Sequence, residues 1–290
     1  MKKSSISQTI MYLCITLYSA LCLIPMLLVL MISITDEDAI LKNGYSLFPE
    51  KFSLYAYKVI FTGGSQVLHS YMISIIVTVV GTSLAILITA MAGYTLANKS
   101  VKYRNVLSLY FFITMIFSAG IVPWYLMNRW LGLTDNILAL IIPSLLFSPF
   151  NLFLVRNFMN GVPDSLRESA TIDGANDLTI AFRIYLPLCT PVLATIALFY
   201  GLDYWNNWWN AIMLIDDKSL YPLQFMLLQL KSEISMLNQM TMLAGADDIT
   251  LPSESVKMAT AIVTIGPIIF LYPYLQKYFV KGLVIGSVKG

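Results

Sequence analysis

Long apolar runs alternate with short polar turns along this chain, and their lengths dictate its architecture. Six runs reach the roughly 18 residues that a membrane-crossing helix needs: about 10–34, 70–97, 106–128, 136–155, 187–215 and 258–280. None carries more than one charged residue in its middle. Lipid offers the backbone no hydrogen-bonding partner, so runs of this length predict helices. The expectation is an all-α polytopic membrane protein, one membrane domain over 1–290 with six transmembrane helices. The apolar stretch of the first run, about 25 residues, is too long for a secretory signal core, and no A-x-A cleavage site follows it. It is expected to remain as the first span.

The polar segments between the runs set the orientation. With both ends inside, the inner segments hold 11 Lys and Arg and the outer loops seven, while the outer loops take 11 of the 16 acidic residues. Lys and Arg are the orienting charges, and their bias places both termini in the cytoplasm. The basic turn NKSVKYRN (98–105) and the segment 156–186 then lie inside as well. In the first outer loop, about 35–69, the stretch LYAYKVIF has the pattern of a short interfacial helix. A second outer loop, 216–257, runs through IDDKSLYPLQ and an amphipathic FMLLQLKSEISML to the acidic GADDITLPSES. At about 40 residues it is long for an idle connector.

Composition narrows the chemistry. At 58% hydrophobic and 12% charged, the chain has about half the charged fraction of a soluble domain and is not an ordinary globule. Cys14, Cys22 and Cys189 lie inside apolar runs without a C-x-x-C pair or a neighbouring histidine, and read as packing residues. The one histidine, His69, stands at the start of the second run. There is no phosphate-cradling G-x-x-x-x-G-K-[ST], no metal-spaced set and no nucleophile–base pair. Neither ATP hydrolysis nor covalent catalysis has machinery here, and nothing points to nucleic acid.

Residues 168–187, ESATIDGANDLTIAFRIYLP, are the informative stretch. They form a polar insert between two apolar runs on the positive side. The residues predict a helical hairpin. Asp164 or Ser165 caps a helix beginning near Leu166, with Glu168 in its first turn, where a carboxylate suits the helix dipole. Ala170 and Gly174, four apart, would share a nearly flat face. Gly174 lets the chain turn, and Pro187 opens the fifth span, a position proline tolerates.

The spacing of Glu168, Ala170, Gly174, Ile184, Leu186 and Pro187 resembles the coupling-loop signature of ABC import permeases, with Ser169 where the family pattern has Ala. The likeness extends to VPDSLRESATIDGA, YWNNWWNA, YPLQ and the tail KGLVIGSVKG, which are similar to the smaller six-span permease of maltose-type carbohydrate importers, with a flavour of the oligosaccharide-uptake subgroup. That resemblance implies the type I importer permease fold. It implies partners too: a second, related permease, two ATPase subunits, an extracytoplasmic solute-binding protein and a sugar as cargo. The chain itself would bind no cofactor, and ATP and Mg would be used by the partner ATPase. Glu168, Ser169, Ala170, Asp173, Gly174, Ile184, Leu186 and Pro187 would form the surface that couples to that ATPase. The 216–257 loop would reach the binding protein.

The fifth run also carries a candidate sugar path. On an unbroken helix Tyr204 and Trp208 share a face, Trp205 and Trp209 the next, and Asn206 and Asn210 another. Aromatic rings stack on sugar C–H faces and amides bond hydroxyls, although an interfacial Trp/Tyr belt has the same composition. Asp203, counted from Pro187, lies about 24 Å into a core of about 30 Å, where an acid needs a cavity or a partner. It is expected to face water or bond an Asn. A permease for a non-sugar solute satisfies the loop motif alone, whereas a stand-alone secondary transporter calls for repeats or intramembrane ion-coupling charges that are missing. Replacing Asp203 with Leu is expected to impair uptake into cells more than assembly of the complex, and normal uptake by that variant would contradict the role.

Overall fold

The computed structural model describes residues 6–62, 65–243, 254–266 and 269. Its helices, in chain order, are α1 (Ile6–Ser33), α2 (Glu37–Asn43), α3 (Tyr55–Thr62), α4 (Ser65–Ala97), α5 (Arg104–Ile116), α6 (Ile121–Trp130), α7 (Leu138–Ile141), α8 (Pro149–Met159), α9 (Asp164–Ile172) and α10 (Asp177–Ile180). A π-helical turn over Ala181–Tyr185 leads into α11 (Leu186–Leu188), followed by α12 (Thr190–Trp205), α13 (Trp209–Leu214) and α14 (Leu223–Leu243). A final helix, α15, covers 254–266. The described residues contain no strand, only one antiparallel bridge between Thr35 and Phe52. The chain divides into two compact units.

One unit takes in the described residues up to Val67 together with those from Met226 to 266. Its α1 is long and apolar enough to cross a membrane, and only 6% of its most apolar window is buried within the chain, so its surface is left for lipid or another subunit. The segment between α1 and α3 is ordered by backbone bonds from Asp36 N–H to Lys51 C=O (3.0 Å) and from Ser53 N–H to Ile34 C=O (2.9 Å). The helix expected over LYAYKVIF forms as α3 and buries Ala56 and Ile60. The amphipathic FMLLQLKSEISML is helical too, as part of α14. Glu37 caps α15: its carboxylate accepts the amides of Glu254 and Ser255, each at 2.9 Å. Glu254 in turn accepts from Tyr45 Oη at 2.7 Å and pairs with Lys257 at 2.5 Å, and these two donors hold its carboxyl below the usual range.

The other unit runs from Leu68 to Phe225. Its α4 is an unbroken span candidate, packed closely on two neighbours. A Cβ at Gly81 would come within 2.5 Å of the Tyr204 ring, and one at Gly93 within 2.7 Å of Val155. Small residues let helices approach this closely in lipid.

The third, fourth and fifth runs differ from the straight helices that periodicity predicts. The third is two helices, α5 and α6, bent by 117°. The break lies at Phe117–Gly120, where Gly120 has φ +85° and Pro123 follows in the first turn of α6. The fourth is interrupted between α7 and α8, with Pro143, Ser144 at φ +64° and Pro149 in or beside the gap. The fifth turns by 82° around Cys189, so the membrane-directed helix begins at Thr190 rather than Pro187, and it stops at Trp205. Among the described residues, two unbroken helices and two bent pairs are therefore long and apolar enough to span. Of the sixth run, residues 267–268 and 270–280 lie outside the described residues, as do residues 1–5 and the whole of the KGLVIGSVKG tail.

Broken helices expose backbone groups that lipid cannot satisfy. In the gap after α7 they are met by side chains of α12 and α13. Tyr204 Oη donates to the Ile141 carbonyl at 2.8 Å, Asn210 Nδ2 donates to the Pro143 carbonyl at 2.9 Å, and the Ser148 amide donates to Tyr200 Oη at 3.0 Å. The Tyr200 hydroxyl also lies 2.7 Å from Thr89 Oγ1 on α4, and its side chain is 1% exposed. Tyr200→Phe removes a partner from both Ser148 and Thr89 and is expected to cost about 1–2 kcal/mol. Thermal unfolding of the purified protein checks this: an unchanged midpoint would show that the hydroxyl is dispensable.

Candidate functional site

The polar insert folds as the expected hairpin, with its details shifted. The outgoing helix α9 begins at Asp164 behind Pro163, with no side-chain cap, so Asp164 is the first-turn carboxylate and Glu168 lies one turn further in. Lys99 Nζ approaches Asp164 Oδ2 to 2.6 Å, and this ammonium holds the Asp164 carboxyl below the ordinary carboxylate range. The pair therefore stays charged as pH falls through that range and is lost only below it. Glu168 and Ser169 are exposed, and Ala170 is half-buried.

Gly174 is not on the helix face with Ala170. It lies just past the end, at φ +81°, where the Gly174 amide bonds the Thr171 carbonyl (3.0 Å) and the Ala175 amide bonds the Ala170 carbonyl (2.9 Å). This is the Schellman ending, in which a glycine in left-handed conformation closes the last turn. A Cβ at Gly174 would meet nothing within 4 Å, so conformation rather than space requires glycine here. Asp173, exposed, precedes it as the helix cap.

The return arm starts at Asn176, whose side chain accepts the Thr179 amide at 2.8 Å. It is pinned by the buried Ile180, Ala181 and Tyr185. Ile184 and Leu186 are half-buried and Pro187 is exposed. The Tyr94 ring meets Tyr185 edge-on at 5.0 Å, and Tyr94 Oη donates to Asp177 Oδ1 at 3.4 Å. The apolar side chains Leu166, Ile172, Leu178 and Phe182 are left exposed, Ile172 at 86%. Exposed large apolar groups on an otherwise polar hairpin are the kind of surface at which proteins associate.

The seven fifth-run residues do not form the three helical faces expected of them, because α12 ends at Trp205 and α13 starts afresh at Trp209. Tyr204, Trp205 and Asn210 are buried: Tyr204 and Asn210 satisfy the gap after α7, and Trp205 packs 6.3 Å from Tyr71. Asp203, Asn206, Trp208 and Trp209 are exposed, and the two indoles pack edge-to-face at 5.8 Å. Counted from Thr190, Asp203 is about 20 Å along α12, not 24 Å from Pro187. Asn206 Oδ1 accepts from Gln224 Nε2 at 3.1 Å, so the YPLQ motif reaches the exposed end of α12, while its Tyr221, Pro222 and Leu223 are buried. Sequence reasoning missed Gln224, Asn207 and Tyr200. Asn207 accepts the Asn210 amide at 3.1 Å and so starts α13, a capping role that its place before a new helix could have signalled. No group of three metal-ligating side chains occurs among the described residues.

A helical chain with apolar, span-length helices and a polar hairpin set between two of its apolar runs has the form of a membrane transport permease. Residues 85–285 match the family of binding-protein-dependent transport system inner membrane components, and the chain belongs to that family. It is similar to protein LplC of Bacillus subtilis, at 39% identity over 93% of this chain and 90% of that protein. It is also similar to the polygalacturonan/rhamnogalacturonan transport system permease protein YtcP of Bacillus subtilis, at 35% identity over 99% and 100%. A solved structure of a bacterial ABC transporter involved in the import of the acidic polysaccharide alginate contains a chain that superposes with a TM-score of 0.81, at 30% identity, over 96% of this chain and 98% of that one.

Proposed function

We propose that this chain is the permease subunit of an ABC importer for oligosaccharides, including fragments of polysaccharides, and that its hairpin from Glu168 to Pro187 docks a separate ATPase. The observation that carries the reading is the hairpin itself: a helix closed by Gly174, held at both arms, with Ile172 presented almost fully to the outside. The names of YtcP and of the alginate transporter favour a glycan cargo over other solutes.

In this reading the chain is a multi-pass subunit of the bacterial cytoplasmic membrane, with both termini and the hairpin inside. It acts as a single permease domain beside a second, related permease, above two ATPase subunits that bind ATP and Mg. ATP-driven closure of the ATPases displaces the hairpins, and the path opens outward to receive sugar from the extracytoplasmic binding protein. Asp203, Asn206, Trp208 and Trp209, exposed at the end of α12, are the residues available to touch a passing sugar. Tyr204, Trp205 and Asn210 support them from within.

The test is ATP hydrolysis by the complex reconstituted in liposomes with its partner subunits, with and without binding protein, across a panel of neutral and acidic oligosaccharides. Stimulation by one loaded binding protein is expected. Gly174→Trp should abolish it, since a side chain at φ +81° strains the helix ending and adds an indole to the face proposed to dock the ATPase. Uptake that continues without ATP would contradict the proposal.

A further inference from the structure

The inner turn between α4 and α5 is joined to the hairpin by side chains at several points. Arg167, half-buried on α9, donates to Asn98 Oδ1 and, at 3.1 Å, to Ser100 Oγ. Asn98 Oδ1 is held in place by the Ser100 amide at 3.0 Å and the Ser100 hydroxyl at 2.6 Å, so the acceptor is oriented before Arg167 reaches it. One residue on, Lys99 pairs with Asp164 at 2.6 Å. The return arm has its own tie, through Tyr94 to Asp177 and Tyr185. Tyr94 is in the last turn of α4, and Asn98 and Lys99 directly follow that helix. Both arms of the hairpin are therefore fastened to one end of the longest helix, which is linked to α12 through Thr89 and Tyr200.

Ion pairs this exposed contribute little to stability. Their geometry matters more: two cations and one oriented amide bridge elements 65 to 69 residues apart in sequence. A hinge between hairpin and membrane helix would need no such bridging. We propose that the turn Asn98–Ser100 is a rigid joint that transmits motion of the coupling hairpin to α4, with Asn98, Lys99 and Arg167 as its positioning residues. This rests on the ATPase-docking reading above. The joint makes α9 and α4 one lever, so a displacement imposed at Ile172 arrives in the second span undiminished.

The test uses the full complex with Cys14, Cys22 and Cys189 replaced, and spin labels at two exposed sites, Leu84 on α4 and Thr171 on α9. Thr171 is one turn beyond Arg167 on the same face of α9, about 100° around the helix from Ile172. The label-to-label distance is measured without nucleotide and with ATP–Mg in a hydrolysis-deficient ATPase. With the joint intact, a single narrow distance is expected that is the same in both states. In the Asn98→Ala/Lys99→Asp variant it should broaden and shift between states by about 2 Å or more, the scale of helix displacements in switching proteins. A Lys99→Asp/Asp164→Lys charge swap with Asn98 intact should restore the fixed distance. A distance that changes with nucleotide in the intact complex, or a variant that behaves as the intact one, overturns the joint while leaving docking in place. Failure of the ATPase to co-purify with the intact complex refutes the docking reading, and the joint falls with it.

Discussion

The interruption of the fourth apolar run is the constraint on which the larger unit depends. Between α7 and α8 the backbone leaves its helical ladder within an apolar run, and its freed groups need partners from elsewhere. Three side chains from the next run meet groups in or beside the gap: Tyr204 at Ile141, Asn210 at Pro143 and Tyr200 at Ser148. This fixes α12 and α13 against the gap. The break at 206–208 serves it, because on one continuous helix Tyr204 and Asn210 would point about 120° apart, whereas here both reach carbonyls two residues apart. Gly81 then allows α4 to lie on the Tyr204 ring, and Thr89 bonds the Tyr200 hydroxyl.

The polar hairpin is built outward from that seam. Its return arm turns through 82° into α12, and its outgoing helix is tied to the turn that follows α4. The two helices that meet at Tyr200 are thus the two from which the hairpin is suspended. The same seam decides which fifth-run residues face outward. Tyr204 and Asn210 are engaged inside, and Asp203, Asn206, Trp208 and Trp209 remain at the surface.

Much of this was legible in the sequence, for physical reasons that also set the limit. Runs without charge announced α1 and α4, because burial in lipid requires their length and composition. The spacing from Glu168 to Pro187 announced a hairpin, although the role of Gly174 as a left-handed helix ending, rather than part of a flat face, needed the backbone. The helix breaks were the main misreading. Pro143 and Pro149 marked the fourth run, but hydropathy averages over a gap that stays apolar. The stop at Trp205 had only Asn207 as a local sign. The bonds from Arg167 to Asn98 and from Tyr204 to Ile141 join positions 69 and 63 residues apart, which no local pattern specifies.

The claim at the centre of this account is that the hairpin is the seat of the ATPase, and Ile172 is the side chain with least reason to exist otherwise. Burying it under a partner is worth about 1.5–3 kcal/mol, which an aspartate there would forfeit along with the cost of desolvating its charge. The direct measurement is the amount of ATPase retained when the complex is purified through the second permease, for the parent chain and for Ile172→Asp. The account predicts that the two permeases stay together while ATPase retention falls at least about tenfold. Retention of the ATPase at the parent level by the Ile172→Asp complex would contradict it.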